Sequence, residues 1–106
     1  MEIEVSGSII HYEDDGLKEL PPVLLWNGAS CTLRMWDFIV EDLKTEYRFI
    51  RFDIRGTGSS IYQNTAPSLF SLEQYGEDAN CVLEQLQIDK VTIWSMAWGS
   101  RAAIAY

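Results

Sequence analysis

The sequence predicts an α/β fold in which a mixed sheet, opened by an antiparallel hairpin, carries helices on both faces. Three observations lead there. Short β-rich runs alternate with stretches of helical period along the whole chain. One of those runs, Val23 to Trp26, is continuously apolar, the mark of a strand covered on both faces, and Val91 to Trp94 reads as another buried strand. At the amino terminus two alternating segments meet at Ser6-Gly7, a dipeptide suited to a hairpin turn. With 106 residues, 47% of them hydrophobic, the chain can build one modest core. Residues 1–106 are therefore read as one domain at most.

Each element has its own local reason. Glu2 to Val5 and Ser8 to Glu13 form the opening hairpin, and Asp14-Asp15-Gly16 supplies the tight turn that ends it. Pro21-Pro22 stops any helix, and Val23 to Trp26 follows as a central strand. After a loop of small and polar residues, Asn27 to Thr32, the apolar residues Trp36, Ile39, Val40 and Leu43 recur at helical spacing, with Glu41, Asp42 and Lys44 opposite. Tyr47 to Phe52 is the next strand. Asp53 to Ser60 contains Gly56 and Gly58 and reads as a tight loop, and Ile61 to Phe70 as irregular. Ser71 is placed to cap a helix with Gln74 three residues on; its stripe is Leu72, Tyr75, Ala79, Val82, Leu83 and Leu86, and it ends near Gln87. Val91 to Trp94 is a further buried strand, and Ala102 to Ala105 begins another helix.

The charge balance excludes several functions. Sixteen acidic against eight basic residues, net −8, with no basic run, argues against a nucleic-acid groove. No apolar stretch approaches the length that spans a bilayer, and Met1-Glu2-Ile3-Glu4 lacks the character of a secretory signal, so the expected compartment is the cytoplasm. Cys31 and Cys81 lack metal-ligand spacing and read as reduced, partly buried thiols. Without a histidine cluster or a G-x-G-x-x-G run, no metal and no cofactor is expected.

The chemistry concentrates where Trp94-Ser95-Met96-Ala97-Trp98-Gly99 joins a buried strand directly to a helix. One residue there must occupy a sharp turn, and strand and helix backbones crowd the positions two before and two after it. Centring on Ala97 places Ser95 and Gly99 in those slots, whereas centring on Ser95 would place the bulky Ile93 in one. Ala97 is therefore the elbow residue, in a frame S-x-A-x-G where a serine hydrolase shows G-x-S-x-G.

These features together resemble the α/β-hydrolase family, in order and spacing, over essentially the whole chain. The opening hairpin is one. Pro22 to Trp36 is similar to the family's strand, His-Gly loop and Met-Trp-Asp helix start, and the form with Asn27-Gly28 looks closest to the branch of enol-lactonases and related esterases. Asp53-Ile54-Arg55-Gly56-Thr57-Gly58-Ser59-Ser60 resembles the D-x-R-G-x-G-x-S loop, and the elbow completes the set. The resemblance implies an oxyanion hole made by the backbone N–H groups of Ala29 and Trp98, supported by Asn27, Gly28, Ser95 and Gly99. In related acyl-transfer enzymes such a donor is worth roughly 3 to 4 kcal/mol.

Two departures stand against activity. The nucleophile position, Ala97, has no reactive atom, and the acid and histidine that the family supplies after the elbow are absent from these residues. His11, the one histidine, lies in the hairpin that the family places remote from the elbow. The resemblance thus implies an amino-terminal portion of a hydrolase of small esters or lactones, inactive as it stands. Its sheet is incomplete without further strands, from a complementing chain or a carboxyl-terminal continuation. A non-catalytic ligand-binding module on the same scaffold is the alternative reading. There Trp26, Trp36, Trp94 and Trp98 would line an apolar pocket, although such residues are more often core. A cofactor-free dioxygenase or lyase of the same fold is another, because Ser95 stands where glycine is usual.

Overall fold

A computed structural model of the chain describes residues 1–28, 31–58, 60–62 and 71–95, with the backbone alone for Ile61 and Tyr62. The strands are β1 (Glu2–Val5), β2 (Ser8–Asp15), β3 (Pro22–Trp26), β4 (Arg48–Phe52), β5 (Ile61–Tyr62) and β6 (Thr92–Ser95). Helix α1 is Asp37–Leu43, entered through a 3-10 turn over Leu33–Trp36, and α2 is Leu72–Gln85. The strands form one sheet in the order β1-β2-β4-β3-β6, and β5 also pairs with β2.

The hairpin forms as expected, because Ser6 and Gly7 both take positive φ, +40° and +80°, the pair of values a two-residue turn between twisted strands requires. Val5 then faces Ser8 and Ile3 faces Ile10. β2 runs two residues past the expected Glu13. Its second half leaves β1 and pairs antiparallel with β4, Tyr12 with Phe52 through Asp15 with Phe49. Ion pairs hold the added residues: Arg48 to Asp14 at 2.7 Å and Arg51 to Asp15 at 3.0 Å. The Asp14 hydrogen bond pushes the Arg48 guanidinium further above its ordinary pKa, against the opposing effect of burial.

β3 is central, parallel to β4 on one side and β6 on the other. Alternation then divides the core between two faces. Leu24 and Trp26, with Ile50 and Phe52, face α2 and pack with Ala79, Val82 and Leu83. Val23, Leu25 and Phe49 face the other way and pack with Trp36 and Val40 of the 3-10 turn and α1. The stripe predicted for α2 is the one that docks, and Ser71 Oγ caps it by accepting from the Gln74 N–H at 3.1 Å.

α2 ends two residues short of Gln87. Gln87 adopts φ +59°, its N–H bonds the Glu84 carbonyl at 3.0 Å, and the Ile88 N–H bonds the Leu83 carbonyl at 2.9 Å while both side chains share the core. This is a Schellman ending with glutamine where glycine is usual. Gln87→Gly is expected to raise stability by about 0.5–1 kcal/mol, read from a urea midpoint at unchanged slope.

Two further expectations are corrected. Ile61-Tyr62 is a short strand against Ser8 and Ile9, not irregular chain; residues 63–70 of that stretch lie outside the described residues. β6 starts at Thr92 and is only half-buried, with Thr92 exposed, because among the described residues it is bonded to a strand on one side alone. The helix expected from Ala102 lies outside the described residues. Cys31 and Cys81 are free, half-buried thiols. Burial pushes the Cys81 thiol up, and Glu77, Glu84 and Asp78 push the same way. Only the thiolate attacks, so Cys81 is expected to react with a disulfide reagent at pH 7.5 roughly tenfold or more slowly in the folded than in the urea-unfolded chain.

Candidate active site

In an open α/β sheet, ligands lie beyond the carboxyl ends of the strands, where successive connections leave in opposite directions. Here β3 is that place. The chain passes from β3 through α1 to β4 on one side and returns through α2 to β6 on the other. Trp26 and Ser95, the last residues of β3 and β6, are register partners, so the segments leaving these strands start side by side. Asn27 and Gly28 open the first. Met96 opens the second, and it lies outside the described residues with Ala97, Trp98 and Gly99, as does Ala29 of the first segment.

Asn27 is 1% exposed and its amide is bonded within the protein on both sides. Its Nδ2 donates to the Phe52 carbonyl at 2.8 Å, tying the end of β3 to the end of β4. Its Oδ1 accepts from the Trp36 indole N–H at 2.9 Å, tying the same point to the entry of α1. The Gly28 N–H lies 3.4 Å from Met35 Sδ, and the Cys31 N–H closes a turn onto the Gly28 carbonyl at 3.2 Å. Asn27 is therefore support for the loop, and its side chain is not offered to a ligand.

The loop after β4 braces the same region. Asp53, buried, accepts the Leu33 N–H on Oδ1 at 2.7 Å and fixes the start of the 3-10 turn. Arg51 Nη1 donates to the Leu33 carbonyl at 3.1 Å and to Asp37 at 2.7 Å. Gly58 has φ +49° and lies so close to the Asp53 carboxylate that an added Cβ would collide with it. Further along, Arg55 reaches away from the cleft into a completely buried pair with Asp78 of α2, donating from Nε and Nη2 at 2.7 Å each.

His11 is on β2, with β4 and β3 between it and β6. Its Nε2 lies 3.6 Å from Glu13, and its backbone N–H donates to Ser60 Oγ at 2.9 Å. Among the described residues the tryptophans do not gather around a pocket: Trp26 and Trp36 are buried on opposite faces of the sheet, and Trp94 packs against Tyr47 and Phe49, while Trp98 lies outside the described residues. An open groove of about 510 Å³ beside α1, rimmed by the exposed Phe38, has its charges already paired, Arg51 with Asp15 and Asp37 and Lys44 with Glu41. Among the described residues no three His, Cys, Asp or Glu side chains gather as a metal site, and no helix is long and apolar enough to cross a membrane.

Reasoning from sequence reached Asn27 and Gly28 but missed Met35 and Trp36 as their partners. Residues seven and nine positions further on meet them only because the 3-10 turn folds back, and no periodic pattern announces that.

Residues 21–106 match the family model described as alpha/beta hydrolase fold. The chain is 28% identical over 99 residues to 3-oxoadipate enol-lactonase 1 of Acinetobacter baylyi, covering 92% of this chain and 35% of that enzyme. It is 29% identical over 101 residues to epoxide hydrolase 4 of Mus musculus, covering 95% of this chain and 28% of that protein. The crystal structure of the enol-lactonase from Burkholderia xenovorans superposes with a TM-score of 0.88 at 27% identity, over 99% of this chain and 40% of that one. The chain spans about a third of the length of the curated relatives it matches. On the matched residues and the shared sheet, the chain belongs to the alpha/beta hydrolase fold family.

Proposed function

We propose that this chain is the amino-terminal part of a hydrolase fold built for small esters or lactones, and that it is catalytically silent because its elbow residue is Ala97. The frame Ser95-x-Ala97-x-Gly99 carries this reading: the crowding rule selects position 97, and a methyl group cannot attack a carbonyl. The similarity to enol-lactonases in both sequence and fold supports the substrate class. In this reading the backbone N–H groups of Ala29 and Trp98 form the oxyanion hole, and Asn27, Gly28, Ser95 and Gly99 hold it. The acid, the base and the strands beyond β6 come from a continuation or a second polypeptide. The short span relative to the relatives favours that completion. No cofactor takes part, and the compartment is the cytoplasm.

The test is turnover of an activated ester and of a small enol-lactone by the completed fold. The natural sequence is expected to show none above background, and Ala97→Ser to hydrolyse at least one of the two. A second reading, a ligand-binding module without chemistry, is favoured by how thoroughly Asn27 is bonded into the loop although the nucleophile is missing. It predicts saturable lactone binding by the natural sequence and no hydrolysis by Ala97→Ser. Turnover by the natural sequence contradicts both.

A further inference from the structure

The turn that leaves β3 depends on a side chain for which the hydrolase reading has no use. Gly28 is buried, and a buried backbone N–H requires an acceptor. What it meets is the thioether of Met35 at 3.4 Å. That sulfur is brought there by the elements around it. Asp53 holds the Leu33 N–H, Arg51 holds the Leu33 carbonyl, and Asn27 holds the Trp36 indole, so the residues flanking Met35 in the 3-10 turn are fixed to β3 and β4. The body of the Met35 side chain packs on the same cluster as Trp36 and Val40.

We propose that Met35 is a positioning residue of this loop: its sulfur takes the Gly28 N–H and turns it into the body of the protein, so that Gly28 offers no donor to a bound carbonyl. In the hydrolase reading this leaves the amide of Ala29 as the donor assigned to the loop. The consequence for an oxyanion rests on the hydrolase reading; the hold on Gly28 rests on the geometry alone. Thioether sulfur is a weak acceptor and methionine a flexible side chain, so the hold is soft and sensitive to substitution.

Packing and hydrogen bonding are separable at this position, because leucine fills the space without an acceptor while glutamine offers a carbonyl at similar reach and packs less well. Amide hydrogen exchange of Gly28 in the folded protein is the direct readout. Met35→Leu is expected to speed it about tenfold, and Met35→Gln to keep it within about twofold of the natural rate. Natural protection in Met35→Leu together with faster exchange in Met35→Gln overturns the proposal, since packing alone would then hold the loop. In the completed fold carrying Ala97→Ser, Met35→Leu is expected to lower kcat about tenfold with KM within about twofold, and Met35→Gln to restore kcat. A fall in kcat that Met35→Gln does not restore also overturns it. Complete lack of turnover in Ala97→Ser contradicts the hydrolase reading instead, and the exchange rates then decide the role of Met35 by themselves.

Discussion

Asp78→Ala is expected to destabilise the fold by about 3–5 kcal/mol, enough to remove most of the stability of a domain this small. Asp78 and Arg55 are both fully buried, and Arg55 is held by two bonds of 2.7 Å to the carboxylate. The same guanidinium donates to the Val5 and Ser6 carbonyls at 2.8 and 3.0 Å, and Gln74 Nε2 donates to Asp78 at 3.0 Å. One pair therefore joins the hairpin, the loop after β4 and α2. Removing the carboxylate leaves a guanidinium in the core facing an apolar gap, and that uncompensated charge is the cost. Replacing both partners, Arg55→Met with Asp78→Leu, is expected to recover much of the loss, because neither charge then has to be buried. Recovery stays incomplete, since the buried Val5 carbonyl loses its donor, at about 1–3 kcal/mol. Urea denaturation of the two variants separates these outcomes. Equal instability in both would mean that the carbonyl bonds, and not the charge pair, dominate.

Ala97→Ser in the completed fold has the largest expected effect on chemistry. Loss of a nucleophile from a hydrolase triad costs on the order of 10⁶-fold in kcat. Restoring the hydroxyl at the elbow is expected to recover a substantial part of that factor if the oxyanion donors and base stand as proposed. Little of it should appear in KM, because a serine at that position binds the ground state hardly better than an alanine. A fall in KM with no gain in kcat would show that position 97 contacts the ligand without attacking it.

The parts legible in the sequence are those fixed by local rules. Ser6-Gly7 announces its turn, Ser71 with Gln74 announces the start of α2, and the apolar run Val23 to Trp26 announces a strand buried on both faces. What escaped depends on partners distant in the chain. Asp14 and Asp15 read as turn residues and are strand residues, because Arg48 and Arg51 on β4 neutralise them across the sheet. Ile61 and Tyr62 pair with β2 because the hairpin leaves that edge open, which composition does not reveal. At the site, the small and polar residues from Asn27 to Thr32 announce the loop and the family resemblance gives Asn27 a supporting place in it, but its bonds to Phe52 and Trp36 follow from the meeting of β3, β4 and the 3-10 turn. The end of α2 was legible to within two residues, although Gln87 stands where a glycine would be the usual signal.

The central claim is that position 97 is the elbow and carries no reactive atom. Incubation of the completed fold with a fluorophosphonate, followed by intact mass and mapping of the modified residue, addresses it most directly. The account predicts an unmodified natural protein and a single adduct at position 97 in Ala97→Ser. An adduct on the natural protein, at Ser95 or elsewhere in the cleft, or a folded Ala97→Ser that stays unmodified, contradicts it.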